Sequence, residues 1–168
     1  FFKKFKEYYP GLNQLGAQIE VTKIPKEKVD AVIDRFGDIR NNASEDLYRI
    51  RKQINSVRSK IGQSFQRALG HYTSADYLDD IRETVVDNKR VLAVKAMYRR
   101  KVKGAIMGSS KTGSIVYIEP ETTLQYSREL NNLNFEEHEE IQKILRELTA
   151  FFQPYRSLFK HYKSYLTQ

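Results

Sequence analysis

Cysteine and tryptophan are absent from this chain of 168 residues, which has only three histidines, four prolines and eight glycines. Without cysteine there can be no disulfide, no thiolate zinc site and no cysteine nucleophile. A reducing, cytoplasmic setting is the expectation. No run of about 18 apolar residues occurs, which excludes a transmembrane helix. No secretory signal opens the chain, because Phe1 and Phe2 lead directly into Lys3 and Lys4. The first residue is Phe rather than Met, as expected of a piece of a longer protein.

Catalytic groups are equally scarce. His71, His138 and His161 are isolated from one another in sequence. His138 sits in the acidic run Glu136-Glu137-His138-Glu139-Glu140, which reads as solvated helix surface rather than a cation site. The glycine-bounded segment Gly108-Ser109-Ser110-Lys111-Thr112-Gly113 faintly echoes a phosphate loop. It lacks the Gly-x-x-x-x-Gly-Lys-Ser/Thr order, and a strand rather than a helix is expected after it. Neither ATPase nor nuclease chemistry is expected within this stretch, and no metal site.

What the chain does have is charge, unevenly placed. The formal net charge is +8. Residues 82–118 hold nine basic and two acidic side chains, and residues 45–70 carry a further excess of +4. Residues 71–81 and 119–150 are net acidic. This asymmetry points to an anionic partner at 82–118. The plainer alternative is a solvated basic face.

Hydrophobic periodicity orders the elements as helices, then strands, then helices. Residues 1–24 read as broken helix, with Phe1, Phe5, Tyr8 and Tyr9 in one stripe and Leu12, Leu15 and Ile19 in another. Pro10-Gly11 and Pro25 read as stops. Residues 32–40 alternate around a Phe36-Gly37-Asp38 turn and suggest a small hairpin. A long helix is predicted from an Asn42 cap, with Glu45 completing a capping box. Leu47, Ile50, Ile54, Val57, Ile61, Phe65 and Leu69 form its heptad-like seam. Gly70 reads as its end, and Ser74 as the cap of a short turn.

Period-two, β-branched segments follow at 81–86, 90–95, 102–107 and 114–118, with turns at Asp87-Asn88-Lys89 and Gly108–Gly113. A second long helix is predicted over 121–152, seamed by Leu130, Leu133, Ile141, Ile144, Leu148 and Phe151. Pro154 should kink or restart it, and Tyr155, Leu158, Phe159, Tyr162 and Leu166 continue an apolar face. The fold class is therefore α+β and mainly helical: a long antiparallel helical hairpin with a four-stranded antiparallel β-module at its tip. The expected divisions are 1–80, 81–119 and 120–168.

The ordered motifs add a family. Arg90-Val-Leu-Ala-Val-Lys95, Tyr98, Gly104, Ser110, Gly113, Ile118-Glu119-Pro120 and the helix from Glu136 to Leu148 resemble the MutS family, in its type II bacterial branch. Upstream, Ile33-Asp-Arg-Phe-Gly37-Asp-Ile39, Ala43-Ser44 and Leu47-x-x-Ile50-Arg51 are similar to the segment preceding that family's lever helix. The resemblance covers roughly 30–150. The chain departs from the family pattern at Ala93 (usually Pro), Met107-Gly108 (His-Asp), Ser114 (Thr) and Asn42 (Asp).

The resemblance implies a lever with a clamp inserted in it, gripping the backbone of mismatched or branched DNA in repair or recombination control. It also implies a homodimeric parent with an ATPase, hence ATP and Mg, beyond the C-terminal end, and often a small nuclease domain further on. Structured RNA or a ribosome is the alternative partner, and a purely structural helical interaction module is a third reading. The expected phosphate contacts are Lys89, Arg90, Lys95, Arg99, Arg100, Lys101, Lys103 and Lys111, because Lys and Arg neutralise phosphates without reading bases. Lys95 could instead pair with Glu119. Tyr98 and Tyr117 read as core or strand pairs, and Gly104, Gly113 and Pro120 as residues that shape the backbone.

Overall fold

The computed structural model describes residues 4–17 and 22–167. Phe1 and Ile19 lie outside the described residues, as do the side chains of Leu12, Leu15 and Leu166. The elements are α1 (Pro10–Ala17), α2 (Ile24–Val32), α3 (Glu45–Ser74), β1 (Leu78–Val86), β2 (Lys89–Lys95), β3 (Gly104–Ser109), β4 (Ile115–Pro120), α4 (Glu121–Phe152) and α5 (Arg156–Leu166). The chain divides into two compact units, Phe1–Leu47 with Glu140–Gln168, and Tyr48–Glu139. Among the described residues no helix is long and apolar enough to cross a membrane.

In the first unit Pro10 and Pro25 begin helices rather than end them. Pro10 is the first residue of α1 and Pro25 the second of α2. First-turn amides have no partner within a helix, so a proline there forfeits nothing. The expected hairpin shrinks to one antiparallel bridge, Ile33 to Ile39. Val32 belongs to α2 instead. The turn is held by the Asp34 carboxylate, which accepts the N–H groups of Phe36 (2.8 Å) and Asp38 (3.0 Å). Those two bonds hold the Asp34 carboxyl below the usual carboxylate range. Gly37 supplies the positive φ of 92° that the turn needs.

The cap of α3 is Ser44, not Asn42. The Ser44 Oγ accepts the Leu47 N–H at 3.0 Å and donates to Glu140 Oε1 at 2.8 Å. Val32, Leu47, Ile144 and Leu148 form the core of this unit, flanked by Ile33, Ile39, Ala43, Ile141 and Phe152. Around Pro154 a single 3₁₀ turn restarts the chain as α5. Aromatic rings follow one another there: Phe151 lies 5.4 Å from Tyr155, Phe152 5.8 Å from Phe159, and Phe159 6.4 Å from Tyr162.

In the second unit α3 and α4 pair antiparallel. Arg51 bonds Glu137 at 2.6 Å, and thirteen residues later the Ser64 Oγ donates to the Thr122 carbonyl at 2.8 Å. Between these, Ile50, Ile54, Val57 and Leu133 form a buried cluster, edged by Ile61, Tyr126 and Leu130. The acidic run is therefore not wholly solvated. Glu136, His138 and Glu139 are exposed, while Glu137 turns in to Arg51.

Helix α3 runs through Gly70 to Ser74. A lone glycine costs only about 1 kcal/mol in a helix, and a stronger stop follows. Asp76 has φ 57°, the Asp76 N–H reaches the Thr73 carbonyl and the Tyr77 N–H reaches the Tyr72 carbonyl. This is a Schellman termination with aspartate in the position glycine usually takes. The accompanying apolar contact is the stack of Tyr72 on Tyr77, 6.4 Å between centroids. Ser74 is thus the last helical residue and not a cap.

The sheet is antiparallel, in the order β1-β2-β4-β3. Asp87 and Asn88 take φ 48° and 61°, the two positive values of a type I′ hairpin. Lys89 already belongs to β2. One face buries Leu92, Val94, Val116 and Ile118 with Phe65, Leu78 and Val102. Val102 packs into this core from the loop before β3, so the third strand starts at Gly104 and not at 102.

Candidate nucleic-acid interface

Two kinds of basic residue emerge among the eight named from the sequence. Lys89, Arg90 and Lys95 are strand residues whose charge is balanced within the unit. Lys89 Nζ lies 2.8 Å from Glu119 Oε2, and Arg90 Nη2 lies 2.5 Å from Glu83. The Arg90 guanidinium also stands 4.3 Å from the Phe65 ring centroid, a cation–π placement. Lys95 Nζ lies 2.9 Å from the Asp76 carboxylate, whose hydrogen bond raises the ammonium above its ordinary pKa.

The expected Lys95–Glu119 pair is therefore replaced by Lys89–Glu119. In the register Lys95 faces Ile115, whereas Glu119 lies at the other end of β4, beside Pro120. Lys89 and Lys95 are six residues apart on β2, about 20 Å at strand rise.

Arg99, Arg100, Lys101, Lys103 and Lys111 are exposed on loops. Residues 96–103 connect β2 to β3. This crossover starts beside the Ser110–Ser114 turn, where the Ala96 N–H meets the Ser114 carbonyl at 2.9 Å. It ends beside α4, where the Lys103 carbonyl accepts the Glu121 N–H at 3.0 Å. Lys111 shares the starting end, on a turn closed by Gly113 at φ 72° and bonds around Ser110. The structure thus gathers Lys95, Arg99, Arg100, Lys101 and Lys111 near one end of the sheet and the crossover, while Lys89 and Arg90 lie at the other end.

The crossover is stiffened from beneath. Tyr77 and Tyr98 stack with centroids 4.7 Å apart, and Lys101 Nζ sits 5.5 and 5.7 Å from the two centroids. The Tyr72 hydroxyl accepts the Lys103 N–H at 3.3 Å. Tyr98 packs against the sheet core, as does Tyr77. Arg99, Arg100, Lys103 and Lys111 make no ion pair among the described residues. Exposed cations on a short, braced loop can meet successive phosphates, because each brings charge that no neighbouring carboxylate cancels.

Two features of the unit were not read from the sequence. One is the burial of Glu119, 2% exposed, which also accepts a hydrogen bond from Ser127 Oγ at 2.5 Å. The other is a groove of about 290 Å³ lined by Arg67, His71 and Tyr72 of α3 together with Lys103 and Glu121. The helical spacing of Arg67 and His71, four residues apart, was the available signal. His71, His138 and His161 are all exposed, and no group of three His, Asp or Glu side chains is placed to hold a metal ion among the described residues.

No family model matches the chain. It is similar to three proteins named Endonuclease MutS2. With that of Aquifex aeolicus (strain VF5) it is 31% identical over 123 residues, 73% of this chain and 16% of the relative. With that of Streptococcus suis (strain 05ZYH33) it is 31% identical over 168 residues, 95% of this chain and 21% of the relative. With that of Alkaliphilus oremlandii (strain OhILAs) it is 29% identical over 147 residues, 88% of this chain and 19% of the relative. The chain is thus related to MutS2 proteins over most of its length, yet spans about a fifth of theirs.

Proposed function

We propose that this chain is the lever and clamp region of a MutS2-related protein, and that its β-module grips the sugar–phosphate backbone of duplex DNA. The observation that carries the reading is the braced crossover, Arg99-Arg100-Lys101 with Lys103 and Lys111, exposed and in no ion pair among the described residues. Backbone contact of this kind supplies affinity and position but no base readout. Mismatched or branched DNA is then selected by its deformability rather than by side chains reaching base edges.

The region binds and transmits movement. In the parent, ATP hydrolysis and nuclease action fall to the rest of the polypeptide, as the resemblance implies. The relatives' name, endonuclease, supports a nucleic-acid role for the parent and gives this stretch no catalytic part.

Fluorescence anisotropy with matched, mismatched and four-way-branched DNA, and with a structured RNA of equal length, tests the reading at about 50 mM salt. The expected result is salt-sensitive binding to DNA, tightest for the branched or mismatched form. Stronger binding to the RNA would move the assignment to an RNA or ribosome clamp. No binding to either polymer would leave only a structural helical module.

A further inference from the structure

From Leu47 to Ala75 helix α3 and its first following residue contain no acidic side chain. Six Lys and Arg side chains lie in that span. Arg51 turns to Glu137 and Arg58 lines a cleft with Glu119, whereas Lys52, Lys60 and Arg67 are exposed on another side, as is His71. They follow at intervals of two turns, two turns and one turn, so they share a face. The apolar seam, Ile50 to Phe65, lies on the opposite side, turned to Leu133 and to the sheet core.

From Lys52 to His71 the face extends about 29 Å at 1.5 Å per residue. Its far end runs into the interface already described, because Arg67 and His71 line the same groove as Lys103. Glu121 is the one carboxylate among the residues lining that groove. Lys60 is held lightly in place, with Nζ 5.9 Å from the Tyr126 ring centroid.

Resting on the backbone-grip reading, we infer that this face of α3 is a second phosphate track, along which the duplex continues beyond the crossover. Its occupant is the backbone of a double-stranded nucleic acid. A row of single cations about two turns apart, with no anion between them, matches a polyphosphate and offers no apolar patch to a protein helix. At 3.4 Å per base pair the track accommodates roughly eight further pairs. It holds the duplex along the helix, so that movement of the helix would be felt by the nucleic acid.

The test is a neutral triple variant of the whole chain, Lys52→Gln with Lys60→Gln and Arg67→Gln, on duplexes of about 8 and 24 base pairs. All three positions are solvent-facing, and a circular-dichroism melt checks that the fold is kept. With the long duplex the log–log salt slope should shrink in magnitude by roughly 2 to 3, about 0.9 for each lost phosphate contact. With the short duplex, which the crossover alone can hold, it should change by less than one contact. An unchanged slope on the long duplex overturns the track, and if reversing Arg99, Arg100 and Lys101 still weakens binding, the crossover grip survives without it. Equal losses on both duplexes also overturn it, since they would mark a general loss of charge. If the unaltered chain binds neither duplex at 50 mM salt, the grip and the track fall together.

Discussion

The ammonium of Lys89 lies 2.8 Å from the carboxylate of Glu119, a group only 2% exposed. Ser127 donates to the other carboxylate oxygen. One buried anion therefore ties the β1–β2 turn to the end of β4 and the second turn of α4. A charge in that position is tolerated only because both oxygens are occupied.

Removing one partner should accordingly cost more than removing both. Lys89→Met leaves a buried carboxylate with Ser127 alone, for a loss of about 1–3 kcal/mol. The fully buried figure of about 3–5 kcal/mol is too high here, because water reaches the Lys89 side chain. Lys89→Met combined with Glu119→Leu should recover most of the loss. Chemical denaturation of the single and double variants measures the difference. A double variant less stable than the single would show that the pair contributes net stability.

Gly104 has an equally specific role. A Cβ placed there would meet the Glu119 carbonyl oxygen at 2.1 Å and the Ile118 side chain at 2.7 Å. Since one of these is backbone, the strand pair itself must shift. Gly104→Ala should destabilise the chain by about 1–3 kcal/mol, the usual cost of overpacking. Gly62→Ala, in mid-α3 with nothing within 4 Å, should stabilise it by about 0.5–1 kcal/mol. Opposite signs in one set of thermal melts are the expected outcome.

Acid should loosen the 33–39 turn. Asp34 is held below its ordinary value of 3.8 by the Phe36 and Asp38 amides. A lowered folded-state pKa contributes stability that is present above the unfolded value and is lost as pH falls through the folded one. Lys95 has the reverse sign. Its ammonium is raised above 10.5 by Asp76, so its contribution is complete below that value and lost as pH rises through the folded one. Site-resolved NMR titration should place Asp34 below 3.8, and Asp34→Asn should remove that part of the acid sensitivity.

Much of this was legible in the residues, for physical reasons. The seams of α3 and α4 repeat over many turns, so their apolar positions announced both helices and their pairing. Alternation and the Asp87-Asn88 dipeptide did the same for the sheet. Boundaries were less legible where a residue type has two uses. Pro10 and Pro25 can end a helix or occupy its first turn, and the choice rests on what precedes them. Gly70 can stop a helix but did not, because the Asp76 termination with its Tyr72–Tyr77 stack is worth more. At the interface, composition located the basic stretch. It did not tell Lys89, Arg90 and Lys95 from Arg99, Arg100 and Lys101, since the carboxylates that balance the first group are supplied by register and by the end of α3. Lys95 and Glu119 belong to successive motifs in sequence yet stand at opposite ends of the sheet.

The central claim is that the crossover holds phosphates, and the salt dependence of binding measures this most directly. With five basic contacts, Arg99, Arg100, Lys101, Lys103 and Lys111, the log–log slope on a short duplex should be roughly −4 to −5. Reversing Arg99, Arg100 and Lys101 to glutamate together should flatten it by roughly 3 and weaken matched and mismatched DNA alike. Changing Lys160 and Lys163, exposed on α5 in the other unit, should leave it within one contact of the original. A slope unchanged by the reversal, or flattened as much by the α5 changes, would contradict a grip at this loop.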